Sequence, residues 1–182
     1  MVNHSPDAAH IKEVFYRDFL LKGTMRINDD LTLSVDGEVS AKREMSQLSV
    51  QFESVTYSFN CSGIGLTSLK GCPHIVGRKF NCEHNLLTNL MHGPQQVKSY
   101  AMRDNPLTSL EGLPAHIPEF VLFTFNEHLP LLRTLAAKEI WPYPDQPELE
   151  KILTKYAQQG RPGAIKCAAE LIRAGYKENA RW

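Results

Sequence analysis

The sequence contains no apolar run approaching the roughly 18 residues of a membrane-spanning helix. Its opening, MVNHSPDAAHIKEVF, has no basic segment followed by an apolar one, so neither an anchor nor a secretory leader is expected. Charge is not in excess on either side: Lys plus Arg and Asp plus Glu each total 20. Bulk attraction to nucleic acid, anionic lipid or acidic substrates is thereby removed, and only local patches remain to be considered. Cysteine is scarce. Cys61, Cys72, Cys82 and Cys167 are too few for a disulfide framework in a domain large enough to bury its own core, and a cytoplasmic setting is the expectation. The motifs G-x-S-x-G, G-x-x-x-x-G-K-[ST], H-E-x-x-H and G-x-G-x-x-G are all missing, and the scattered histidines show no pairing with a nucleophile. These absences point away from an enzyme.

What is present begins with a helix signal. Ser5 suits an N-cap and Pro6 a first helical position, after which Ile11, Val14, Phe15 and Phe19 recur at helical spacing until Gly23. Over residues 24–58 the apolar positions largely alternate with polar ones, and Asn28-Asp29-Asp30 and Asp36-Gly37 read as turns, which predicts a few short strands.

Self-similarity then dominates. FNCSGIGLTSLKGCPHIV (Phe59 to Val76) returns as FNCEHNLLTNLMHGPQQV (Phe80 to Val97) and again as YAMRDNPLTSLEGLPAHI (Tyr100 to Ile117). Leu66, Leu87 and Leu107 stay in phase, as do Leu69, Leu90 and Leu110, and Pro73, Pro94 and Pro114. Val97-x-x-Tyr100-x-Met102-x-x-Asn105-x-Leu107 has the leucine-rich-repeat form L-x-x-L-x-L-x-x-N-x-L. Tyr100 and Met102, two apart on a strand, face one way, and the asparagine turns the chain while its amide serves exposed backbone groups. One such coil cannot bury its apolar side, so coils stack and extend a parallel sheet one strand at a time. A fourth, irregular coil starts at Phe120, with Asn126 one residue late. A short helix bearing Leu131, Leu132 and Leu135, a proline-rich linker at Trp141–Pro144 and two amphipathic helices complete the chain.

The predicted architecture is an α/β leucine-rich-repeat solenoid of three to four coils. Residues 1–58 form an N-terminal helix-plus-strand cap, 59–128 the repeats and 129–182 a C-terminal helical cap, in one folding unit. The runs F-N-C-x-x-N-L-L-T-N-L (Phe80 to Leu90) and L-T-S-L-E-G-L-P (Leu107 to Pro114), with the ending from Ile152 to Trp182, resemble the short leucine-rich-repeat proteins of tailed bacteriophages. Gly63-Ile64-Gly65, in place of the asparagine turn, departs from that pattern. The resemblance implies a protein that binds a host or phage protein, and the expectation taken from it is a non-catalytic module that modulates a host protein, such as a defence or replication factor, in the host cytoplasm.

Solenoids present partners with the outward positions of their concave strands. Here these are Asn60, Lys79, Asn81, Glu83, Ser99, Ala101 and Arg103 and, on the fourth coil, Val121 and Phe123, which would supply apolar anchors. A second, mildly basic and aromatic surface comprises Arg173, Tyr176, Lys177, Arg181 and Trp182 on the last helix, and could contact nucleic acid or a protein. Cys72, His74, Cys82 and His84 hint at zinc, but their spacing fails the usual ligand patterns, and the repeat register places Cys61 and Cys82 in the core. No metal and no cofactor are expected. Two other classes stay open: a virion or scaffold component, and a nucleic-acid-binding accessory protein.

Overall fold

The computed structural model describes residues 7–182; Ser5 and Pro6 lie outside the described residues. Asp7 caps the first helix, α1 (Ala8–Asp18), its carboxylate accepting from the His10 amide at 2.8 Å. The helix stops at Asp18 and does not reach Gly23. Phe19 belongs to two periodicities, closing the helical set with Val14 and Phe15 and opening a period of two with Leu21, Met25 and Ile27. The second wins, because β1 (Phe19–Ile27) pairs antiparallel along its full length with β2 (Leu33–Ala41). Gly23 and Gly37 face each other in that ladder. A Cβ at either would lie 2.0 Å from the carbonyl oxygen of Asp36 or Lys22, and both residues have φ above +130°, so the crossing requires glycine.

Beyond β1 every strand pairing is parallel. The main ladder joins β2, β4 (Phe59–Asn60), β6 (Lys79–Asn81), β7 (Ser99–Ala101), β8 (Ile117–Thr124) and β9 (Ala137–Tyr143). Its inward row is Val39, Phe59, Phe80, Tyr100, Val121 and Ile140, all buried. A second strip joins the first half of β2 to β3 (Phe52–Val55), β5 (Ile75–Val76) and Gln96. The chain is thus an α/β fold around a parallel-strand solenoid of six coils, with helices at both ends.

Two of those coils lie outside the recognised repeats. Val35-x-x-x-Val39 has the spacing of Val55-x-x-x-Phe59 and Val76-x-x-x-Phe80, so β2 is both cap strand and first coil. At the other end, the segment read as a linker is β9. Ala137-x-x-Ile140-x-Pro142 repeats the spacing of Val97-x-x-Tyr100-x-Met102, and its three inward side chains are buried. Proline is tolerated because β9 is an edge strand with a single strand partner, β8. The short helix foreseen around Leu131–Leu135 is a single 3₁₀ turn, Leu132–Ala136.

The core runs the length of the stack. Rings of Phe15, Phe19, Phe52, Phe59, Phe80 and Tyr100 form an unbroken series with successive centroids 5.0 to 5.9 Å apart, fastening α1 to the coils. Each such pair adds about 0.5–1.5 kcal/mol beyond its burial. A parallel inward row comprises Cys61, Cys82, Met102 and Phe123. At the far end, α2 (Pro147–Tyr156) and α3 (Gly160–Arg173) cover the last coil with Leu149, Ile152, Leu153, Ala164, Cys167 and Leu171, all buried.

Candidate binding face

Two asparagines hold the coils in register. Asn85 accepts from the Ile64 and Leu66 amides through its Oδ1 (3.2 and 2.9 Å) and donates to the Cys61, Cys82 and Glu83 carbonyls. Asn105 repeats the arrangement one coil on, accepting from Leu87 and donating to Cys82, Met102 and Arg103. Each side chain therefore ties its own turn to the preceding coil. Asn126 occupies the next equivalent position but accepts only from His128 with its side chain. The buried Asn179 takes over there, donating to the carbonyls of Asn126 (2.9 Å) and Leu129 (2.8 Å) and pinning the segment beyond α3 to the last coils.

On this frame the outward face of the main ladder changes character along its length. The register row Ser40, Asn60, Asn81, Ala101, Leu122 and Trp141 runs from small and polar to aromatic. Asn60 and Asn81 are half-buried, and each uses its Oδ1 locally to accept the amide two residues on. Lys79 is also half-buried. Ala101 is fully covered, Ser99 is buried with its hydroxyl donating to the Glu119 carboxylate, and Glu83 is buried against Arg103 (2.5 Å). These three predicted contact residues offer almost no accessible surface. The ion pair raises the Arg103 guanidinium further above its already high range, mainly through the hydrogen bond to Glu83. Arg103 also lies over the Tyr143 ring, 5.1 Å from its centroid.

Val121 and Phe123 do not face outward; both are completely buried. The reading of the fourth coil is one residue out of step because the spacing between coils varies from 19 to 21 residues. Tyr100 pairs with Val121, not Phe120, and an irregularity between Ile117 and Phe120 absorbs the extra residue. Asn126 consequently stands five residues after Val121, as Asn105 does after Tyr100.

The corrected register brings out residues that the sequence pattern left unassigned. Phe120 and Trp141 stack face to face with centroids 4.2 Å apart. Leu122 lies beside them half-buried, and Trp141 and Tyr143 remain 40% and 48% exposed. The result is an aromatic platform on β8 and β9, bordered by the Arg103–Glu83 pair. The inward spacing of β9 was the available signal; Pro142 within the strand and Pro144 just after it masked it.

The second predicted surface is divided. Helix α3 ends at Arg173, so Tyr176 to Trp182 are not helical continuation. Tyr176 packs edge-on against Phe125 at 6.3 Å, and Arg181 pairs with Glu178 at 3.1 Å and donates to the His128 carbonyl. Arg173, Lys177 and Trp182 are exposed. Cys61, Cys72, Cys82 and Cys167 are all buried free thiols, whereas His74 and His84 are exposed, so the sequence-suggested Cys/His set is not assembled. Burial pushes the Cys61 and Cys82 thiols and the Tyr100 hydroxyl up in pKa, and the Cys167 thiol up to about 12, which suppresses thiolate chemistry. Among the described residues no helix is long and apolar enough to cross a membrane. No protein-family model, curated protein or solved structure matches the chain.

Proposed function

We propose that the chain is a leucine-rich-repeat protein of the bacteriophage type that binds another protein, without catalysis, through the concave side of its main sheet. The observation that carries this reading is the platform of Phe120, Trp141 and Tyr143 bordered by Arg103. Tryptophan, tyrosine and arginine are the residues on which protein interfaces concentrate their energy. Here Trp141 and Tyr143 project from the hydrogen-bonded strand β9 and Arg103 is held by Glu83, so little conformational entropy is lost when a partner orders them. The in-phase leucines and the two asparagine-bridged turns support the repeat assignment, and the resemblance to phage proteins directs the proposal toward a host defence or replication factor.

The test is affinity capture from infected host cells followed by mass spectrometry, comparing the native chain with Trp141→Ala and with the paired variant Lys79→Glu/Arg103→Glu. A specific partner is expected, with Trp141→Ala weakening it by about 30-fold, equivalent to ~2 kcal/mol at a hot spot. Full retention of the partner by both folded variants would overturn the concave-face assignment. Co-sedimentation with phage particles would favour a virion component instead. Salt-sensitive retention on DNA, lost with Arg173 and Arg181, would favour a nucleic-acid accessory role.

A further inference from the structure

A groove of about 400 Å³ lies where residues 113–116 and the 3₁₀ turn meet the C-terminal helices. Its size falls within the range of small-molecule sites. Leu113, Leu132, Leu135 and Ala164, all buried, make an apolar lining. Around it stand His116, Arg133 and Arg161, and no aspartate or glutamate lines the groove. Arg133 lies on the 3₁₀ turn, and its residue is only partly accessible. Neither arginine has a salt-bridge partner among the described residues, whereas Arg17, Arg103 and Arg181 each have a carboxylate.

Arg133 is half-buried and Arg161 exposed, and neither guanidinium is neutralised by a carboxylate side chain among the described residues. Two of them beside an apolar lining are complementary to a ligand with an apolar body and one anionic end. The planar fork of arginine matches a carboxylate in particular. We propose that this groove binds a small amphipathic monocarboxylate, its chain on the Leu113–Leu132–Leu135 surface and its carboxylate between Arg133 and Arg161. Trp182, 63% exposed at the edge of the groove, is positioned to cover the chain.

Decanoate serves as the probe, with decanol and decylamine as controls of equal chain length. Isothermal titration calorimetry on the full chain is expected to show saturable one-to-one binding of decanoate. Decanol should bind at least about tenfold more weakly, and decylamine should not bind, because the arginines contribute through charge. Arg133→Gln/Arg161→Gln should lose about tenfold or more for decanoate while leaving decanol unchanged. Ala115→Trp, at an exposed edge position, should weaken both by narrowing the groove. Thermal melts establish that the variants are folded; should the double variant melt early, the single Arg161→Gln change on the exposed edge carries the same comparison. Equal affinity for decanoate and decanol, unchanged decanoate binding in the arginine variants, or no saturable decanoate binding would each overturn the proposal.

Discussion

Asn85 shows how one side chain can hold two coils together. It satisfies two amides and three carbonyls in a buried turn, so Asn85→Ala should cost roughly 2–4 kcal/mol by leaving several of them unpaired. Asn85→Asp sharpens the point. An ionised carboxylate would face carbonyls that need a donor, so folding favours the protonated acid. The variant's extra instability should be small below the ordinary carboxyl range and grow as pH rises above it, as thermal melts at pH 4 and pH 7 would show. The opposite sign applies at Asp18, where the Arg17 guanidinium at 2.8 Å lowers the carboxyl from 3.8 to about 2. The stabilisation from this pair is present above pH 4 and should be lost as pH falls toward 2. Asp18→Asn should flatten that part of the stability profile; an unaltered profile would show that Asp18 is not responsible. Tyr100 offers a third test. Its buried hydroxyl has no hydrogen-bond partner among the described residues, so Tyr100→Phe should leave stability unchanged or raise it by about 1 kcal/mol, unlike most core substitutions. At this scale the sequence was informative: the in-phase leucines and both repeat cysteines are buried as their register required. The contacts of Asn179 were not legible, because they join positions 50 and 53 residues apart outside any repeat.

Elements were less legible where local chemistry and tertiary pairing disagree. Trp141-Pro142-Tyr143-Pro144 reads as a linker because proline cannot donate to a ladder, yet β9 forms since β8 supplies a partner on one side. Phe19 to Gly23 reads as helix until the complementary strand β2 is considered, and no local window contains that information. The fourth coil was found but entered one residue early, and a one-residue slip exchanges the two faces of a strand. That slip moved Val121 and Phe123 to the surface and hid Phe120 and Leu122. The corrected faces make opposite predictions for neighbouring residues. Phe123→Ala, which empties a fully buried site, should destabilise by about 3–5 kcal/mol. Phe120→Ala, which removes one half of a partly exposed stack, should cost only about 1.5–2.5 kcal/mol. Chemical denaturation of the two variants decides between the registers, and a larger loss at Phe120 would restore the earlier one.

The whole molecule follows from stacking in one dimension. Each coil meets only its neighbours, so stability is distributed along the stack and the terminal coils depend on what covers them. At one end the cover is α1 with the β1–β2 hairpin, tied in through the aromatic series from Phe15 to Phe80. At the other it is α2 and α3, fixed by their buried leucines and by Asn179. The central strands β6 and β7 are paired on both sides, whereas β9 has one strand partner. Opening should therefore start at the C-terminal end, where β9 and the segment closed by Asn179 can detach before the asparagine-bridged coils do. Native-state hydrogen exchange should find the greatest protection at the Phe80, Cys82 and Met102 amides and less along β9. Asn179→Ala should lower protection across Asn126–Tyr143 while leaving Phe80 nearly unchanged. Equal loss at both places would mean that the six coils open as one cooperative unit, and the end-first description would then fail.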